Sequence, residues 1–488
     1  MILRDPSSRR PIVLVALVLL SLAARPAAAD DRTAEALRRA GLNRSRPQLL
    51  RLSSARTLDV DLGDRRVHLR LEPSALRAPG FRVLVETAPG RLVEVTAPPA
   101  ASWRGTIDGI PGAVVGGTIR DGRMRLALAL PEGRTFYVQP VDDLAAAGDP
   151  TAHVVYEAAD AEGEVAACAT SEASDPVPDA PRDPGASATS GTPMRVAELA
   201  FDADFEFFTA NGASVDSTIA DIENVASAVN AVFERDVLIT HQITAILVRS
   251  TVEDPYTATT PQTLLGQFRD HWLAAHGDVA RDVAHLMTGN PLDGSGGIAF
   301  LGSICSPTRG YGLSRSRFTT VLSHRCALVA HELGHGWNAN HCDGVSPCHI
   351  MCSIINRCDG VGLPNFEPAG IAAIDAYAGS RTCLGTATLA VDDRPPGGLE
   401  LAPAAPTPFV GETQLRFRLE RAERVELAVY DVAGHRVARL LDGVREAGWH
   451  RVTWNARDTA GNRLRSGVYY VRLRAGTAAR SRPLVLLP

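Results

Sequence analysis

The spacing of apolar residues changes character along this chain, and each change predicts a different kind of element. Leu58-Asp59-Val60-Asp61-Leu62 and Val67-His68-Leu69-Arg70-Leu71 alternate with period two, as strands with one buried face do. From Trp103-Arg104-Gly105-Thr106-Ile107-Asp108-Gly109 to Tyr137-Val138-Gln139-Pro140, glycines sit at turn positions between short apolar runs. Residues 30–170 are therefore expected to form one β-rich unit. From Ser171 to Pro193 the chain is largely Ser, Pro, Asp, Gly and Ala, with almost no large apolar residue. Such a stretch cannot bury enough to order itself, so 171–193 is expected to be a linker and a maturation site.

Residues 194–386 mix both periods, as an α/β domain should. Arg195–Phe208 predicts a strand and Leu238–Val248 a second one. Between them, Val215–Arg235 carries Ile219, Ile222, Val225, Val229, Val232 and Phe233 at helical spacing, one buried face. Thr260 is expected to cap a helix that starts at Pro261 and turns Leu264, Leu265 and Phe268 inward. His285–Met287 and Gly297–Leu301 read as short strands. Thr319 or Thr320 is expected to cap a helix with Val321, Leu328 and Leu333 toward the core, and Glu367-Pro368 opens a last helix through Ile371 and Ile374. A Pro- and Gly-rich stretch, 387–399, is a second linker. Beyond it, residues 400–488 alternate cleanly at Leu415–Leu419 and Val425–Tyr430, with turn residues at Asp431–Gly434 and Asp458–Asn462, a small β sandwich.

Composition adds an address. The chain has 45% hydrophobic and 22% charged residues and a net charge of −5, so it is globular and offers nucleic acid no basic footprint. Arg4, Arg9 and Arg10 precede an apolar run from Ile12 to Ala24, and Ala27-Ala28-Ala29 stands before Asp30. Residues 1–29 therefore read as a secretory signal peptide, too short to span a bilayer. The mature chain is expected to be secreted or at the cell surface, with no membrane span. In that compartment cysteines tend to pair. Cys342, Cys348, Cys352 and Cys358 crowd one stretch, where two disulfides are favoured over a structural zinc site; four cysteines allow three pairings.

The candidate chemistry lies in His331-Glu332-Leu333-Gly334-His335-Gly336-Trp337-Asn338-Ala339-Asn340-His341. Residues four apart share a helix face, so His331 and His335 can aim at one point, and Glu332 can reach a water bound there. His341 can join them only if the helix stops and the chain turns back. Asn338 and Asn340 stand where that turn is needed, and Asn tolerates the left-handed conformation. Three protein ligands plus a water is the open coordination of one catalytic zinc ion. Asp343 is a substitute ligand in the same stretch. Cys168, just upstream of the first linker, could deliver a thiolate to that metal and silence it; the alternative is a disulfide, for instance to Cys326.

The segment resembles the metzincin zinc proteases, whose signature is HExxHxxGxxH followed by a Met turn. Cys342 after the third histidine, Cys348-His349-Ile350-Met351-Cys352, and the late Cys383-Leu384 are similar to the reprolysin (adamalysin) branch. The resemblance implies an α/β (α+β) catalytic domain, zinc held by His331, His335 and His341, Glu332 as general base, and Met351 as an apolar floor beneath the metal. It also implies a Cys305–Cys383 disulfide and an edge strand at Gly297–Leu301 that takes the substrate peptide. Asn338 replaces the glycine of the signature. The β-rich segment 30–170 is similar to the propeptides of such enzymes. Residues 400–488 resemble immunoglobulin-like C-terminal domains of exported hydrolases, some of which serve a secretion or cell-surface apparatus. The expected function is a secreted zinc endopeptidase made as a zymogen and acting on proteins or peptides. Two rivals are a catalytically weak surface-attached binding protein and a zinc hydrolase of a non-peptide bond.

Overall fold

The computed structural model describes residues 31–144, 151–163, 166–170, 194–345, 348–355 and 364–387, together with most of 399–487. The signal-peptide and linker expectations, and that for Cys358, lie outside the described residues. The chain divides into two compact units, one ending at Ala387 and one beginning at Thr388. Among the described residues no helix is long and apolar enough to cross a membrane.

The first unit opens with helix α1 (Asp31–Arg39). The strands that follow are β1 (Arg46–Leu49), β2 (Thr57–Asp61), β3 (Arg66–Pro73), β4 (Arg77–Ala88), β5 (Arg91–Val95), β6 (Ser102–Ile107), β7 (Ile110–Arg120), β8 (Arg123–Ala129), β9 (Thr135–Pro140), β10 (Ala152–Glu157) and β11 (Ala166–Cys168). Eight of them form an antiparallel sheet in the order β1-β10-β9-β8-β7-β6-β3-β2. The core on one side of it buries Leu58, Val60 and Leu69, alternate positions of the period-two runs, together with Leu126 and Val138.

Three strands, β4, β5 and β11, leave that sheet and join another. The second sheet is built on β12 (Met194–Ala203), β13 (Ile239–Arg249), β14 (Val283–Met287), β15 (Ser295–Ala299) and β16 (Tyr311–Ser314). With the short β17 (Ile354–Ile355) its order is β17-β11-β15-β16-β14-β12-β13-β4-β5, and β18 (Gly385–Ala387) pairs with β12. β12, β13, β14 and β16 are mutually parallel, whereas β15 runs antiparallel to β16. Helices α2 (Phe205–Ala210), α3 (Val215–Val237), α4 (Pro261–Ala275), α5 (Leu322–Gly336) and α6 (Pro368–Gly379) complete the unit. One face of the sheet packs Ile243, Ile246 and Val248 with α3 and α5, and the other packs Ala245, Leu247 and Leu286 with α4.

The element bounds depart from the sequence reading in instructive ways. The strand expected over Arg195–Phe208 stops at Ala203, because Asp204 accepts a hydrogen bond from the Phe207 N–H and caps α2 instead. The strand at Gly297–Leu301 lies two residues earlier, at Ser295–Ala299. Helix α3 is buried on both faces, not one. Besides its apolar stripe, Glu223, Asn224, Ser227, Asn230 and Glu234 are buried: Asn224, Ser227 and Glu234 meet β6 and β7 of the N-terminal sheet, and Glu223 meets Arg77 of β4. The capping residue of α5 is Val321, whose N–H is taken by Thr319 Oγ1.

The second unit holds strands β19 (Leu399–Leu401), β20 (Thr413–Leu419), β21 (Glu423–Tyr430), β22 (Arg436–Arg445), β23 (Gly448–Trp454), β24 (Gly467–Ala475) and β25 (Ala478–Leu486). They form a three-stranded sheet, β19-β20-β23, and a four-stranded one, β22-β21-β24-β25. Phe417 and Trp454 from one sheet share a core with Leu427 and Val471 from the other.

Candidate metal centre

Helix α5 places His331 and His335 one turn apart, both buried, with Glu332 buried beside them. The helix ends because Asn338 adopts φ +72°, the left-handed conformation that the turn to His341 requires. Asn340 is not among the positive-φ residues, so one asparagine does the turning. The Ala339 carbonyl, freed by this turn, accepts from His335 Nδ1 at 2.8 Å, and the Ile350 carbonyl accepts from His331 Nδ1 at 2.6 Å.

Those two bonds fix the tautomers. A carbonyl can only accept, so each Nδ1 carries the proton and each Nε2 presents a lone pair. Yet His335 Nε2 lies 3.0 Å from His331 Nε2 and 3.2 Å from His341 Nε2. Facing lone pairs repel unless a cation sits between them. A tetrahedral zinc ion spaces its nitrogen ligands about 3.3 Å apart, from bonds of about 2.0–2.1 Å. Burial and the neighbouring imidazoles hold His335 well below its usual pKa, and burial first holds His331 down to about 3; both stay neutral, as ligands must. The donor set thus fits zinc.

A fourth atom completes the set. Cys168 of β11 brings Sγ to 3.5 Å from His335 Nε2 and 3.7 Å from Glu332 Oε2. Cys168, His331, His335 and His341 form a group whose ligand atoms all lie within 4.8 Å of one another. A zinc ion with a sulfur bond of about 2.3 Å would put sulfur about 3.6 Å from nitrogen. Burial, and then the Glu332 carboxylate, push the Cys168 thiol up, while burial pushes Glu332 up to about 8. Glu332 Oε1 is buried without a hydrogen-bond partner. Asp343 is not part of the group; its carboxylate accepts from the Ser353 N–H at 2.7 Å.

Close packing underlies the site. A side chain on Gly334 would strike Met351 Sδ, and one on Gly297 would come to 2.7 Å from Glu332 Oε1. Met351 is fully buried beneath the helix, and its carbonyl accepts from the Cys342 N–H. Cys305 and Cys383 are disulfide-bonded. Cys348 is also in a disulfide, while Cys342 and Cys352 are unbonded with their sulfurs 3.2 Å apart. The Cys168–Cys326 alternative is not formed: both thiols are free, and Cys326 is buried, with its thiol against Tyr137.

One set of contacts has no signal in the local sequence. The first free N–H groups of α5, on Leu322 and Ser323, are taken by Gln139 Oε1 at 3.1 Å and Tyr156 Oη at 3.2 Å. Gln139 Nε2 returns a bond to the Thr320 carbonyl, and Tyr156 Oη donates to Gln139 Oε1. The helix that carries the histidines is capped by β9 and β10 of the N-terminal sheet.

Residues 219–342 match the reprolysin-like model of metallopeptidase family M12B, and residues 404–479 match the FlgD Ig-like domain. The first match begins inside α3 and ends one residue past His341, so it spans the helix and turn that carry all three histidines. The chain therefore carries an M12B reprolysin-like metallopeptidase domain, followed by a FlgD-type immunoglobulin-like domain.

Proposed function

We propose that the chain is an exported zinc endopeptidase of metzincin type, made as a zymogen, with His331, His335 and His341 as metal ligands and Glu332 as general base. The observation that carries this reading is the convergence of three Nε2 atoms, two of them fixed as lone-pair donors, beside a buried, unpartnered carboxylate oxygen. A zinc ion bound there would supply a Lewis acid for the attacking water and the scissile carbonyl. Glu332 takes a proton from the water as its oxygen bonds to the carbonyl carbon. It returns that proton to the amine nitrogen as the C–N bond breaks. Substrate would lie along β15, whose outer edge offers backbone groups for an extended peptide. Beside His341 a cavity of about 360 Å³, bordered by Cys342, Val345, Glu367 and Ala373, is available to a substrate side chain.

Cys168 is read as the switch that keeps the precursor silent. Its sulfur stands where the water would bind, and β11 lies on the β15 edge, paired in parallel through Ala167–Ser295 and Cys168–Gly297. Maturation would cut within 171–193 and free both positions. The C-terminal unit is read as a module for a secretion or surface apparatus, on the support of its domain type.

Casein hydrolysis by matured protein tests the reaction. A zinc chelator should abolish it, and Glu332→Gln should lower kcat/KM by about 10²–10⁴-fold. Turnover unaffected by either would remove the reading.

A further inference from the structure

The N-terminal unit meets the peptidase at both edges of one sheet, and the two meetings are of different kinds. At the β13 edge, β4 pairs in parallel from Arg82–Ala245 to Glu86–Arg249, and β5 closes the hairpin outside it. Glu86 and Arg249 are each 1% exposed, and their charged groups lie 3.9 Å apart. Ser250 Oγ donates to the Glu86 carbonyl. Removing β4 would leave β13 as a long apolar edge strand with unpaired backbone groups, an arrangement that proteins avoid.

The face of α3 tells the same story. Its polar side is not solvated. Arg77 reaches Glu223 at 2.5 Å, Arg104 reaches Glu234 at 2.8 Å, and Ser227 Oγ donates to the Gly117 carbonyl at 3.1 Å. Strand and helix approach so closely that a side chain on Gly116 would strike the Ser227 carbonyl. Leu76, Val83, Val85, Tyr137 and Tyr156 belong to the same apolar core as Val229, Val248 and Val329 of the peptidase. Gln139 and Tyr156 cap α5 itself.

At the β15 edge the contact is slight. β11 has three residues. It pairs with β15 on one side and with the two-residue β17 on the other, and its apolar contribution is Ala166, packed on Leu328. Outside those two short ladders its segment is held by Cys168 N–H to Ser353, Ala169 N–H to Gly297, Gln262 Nε2 to the Ala169 carbonyl, and Thr170 Oγ1 with Ala299.

We infer that residues 31–157 form a permanent subunit of the peptidase, and that cutting the linker releases only the β11 strap. The partner surface is the β13 edge together with the polar side of α3 and the N-terminus of α5. Its occupant is the chain's own N-terminal segment, the β4–β5 hairpin at the edge and the N-terminal sheet over the two helices. The inference rests on the zymogen reading but goes beyond it, since a switch alone would let the whole prosegment leave.

The test uses the full chain carrying Glu332→Gln, with a site-specific protease sequence inserted within 171–193, loaded with zinc. After the cut, size-exclusion chromatography and native mass spectrometry should find both fragments in one complex. Alkylation followed by peptide mapping should show Cys168 at least tenfold more reactive than before the cut. Separation of a folded peptidase fragment from the N-terminal fragment overturns the inference. So does a retained fragment whose Cys168 stays protected. Neither result depends on turnover, so failure here is distinct from failure of the casein assay.

Discussion

The two edges of the catalytic sheet are covered by the same physics at different scale. At β13 a hairpin adds a strand, buries an ion pair and shares an apolar core. At β15 a three-residue strand makes a few backbone bonds and brings one sulfur to the histidines. Strand addition gains affinity in proportion to what it buries. The long contact can therefore be a lasting joint, and on the proposed reading the short one would depend on a bond from Cys168 to a metal. Holding and releasing are assigned to different segments of one N-terminal unit.

The largest expected effect is at the joint. Tyr156 is 1% exposed, stacks on Tyr137 with ring centroids 6.0 Å apart, and caps Ser323. Tyr156→Ala should lower the stability of the first unit by about 3–5 kcal/mol, from lost packing and a lost helix cap. Chemical denaturation read on this unit would show it. A loss under about 1 kcal/mol would mean that the N-terminal sheet is a loosely docked cover.

Acid should attack where joint and strap meet. His324, in the first turn of α5, lies against the Ala161 carbonyl with Nε2 at 3.3 Å, and its Nδ1 is buried without a partner. Burial holds its pKa down to about 4 against an ordinary 6.5. Above pH 6.5 neither folded nor unfolded chain carries the proton. Between 6.5 and about 4 the unfolded chain takes it and the folded chain does not, so stability falls as pH falls, by up to about 3 kcal/mol. His241 and His285, both held down to about 3 by burial, act in the same direction, while Asp254, raised to about 6 by burial, opposes them. His324→Gln should therefore flatten the acid limb of a melting-temperature profile by close to one proton. An unchanged slope would exclude His324 as a contributor.

A smaller effect should follow from Glu86→Gln. Arg249 keeps two bonds to Asp202, at 3.0 and 2.7 Å, so its charge stays paired and only the long contact across the β4–β13 joint is lost. The expected cost is about 1–2 kcal/mol, with faster exchange of the N-terminal fragment in the cut complex.

These contacts also mark the boundary of what the sequence made legible. The convergence of His331, His335 and His341 could be read because its logic is local: i,i+4 spacing on α5, then an asparagine able to turn the chain at φ +72°. Period-two runs located β2 and β3 for the same reason. The cap of α5 could not be read, because Gln139 and Tyr156 lie more than 150 residues upstream. Thr319 accepts the Val321 N–H, yet the next two donors are answered by residues from another sheet. Helix α3 misled in a related way. Its Glu, Asn and Ser positions match a solvated face until a second sheet arrives to bury them. Strand β4 shows the same limit, since alternation reveals that a strand exists but not which sheet it will join.

The smallest expected change in stability belongs to the strap, and it carries a large change in catalysis. Cys168 is half-buried, and β11 contributes only Ala166 to a core. In the presence of a chelator, where no ion ties sulfur to imidazole, Cys168→Ala should alter the stability of the first unit by less than about 1 kcal/mol. With zinc restored, the uncut variant should hydrolyse casein at least tenfold faster than the uncut wild type, because the fourth corner of the donor set now admits water. Cys168→Ser is the stricter variant, since a hydroxyl keeps the size of the side chain but is a poor zinc ligand at neutral pH. A silent precursor in both variants, with folding intact, would mean that β11 blocks the β15 edge by occupancy alone. The short edge would then resemble the long one in kind, and the division of labour between them would collapse.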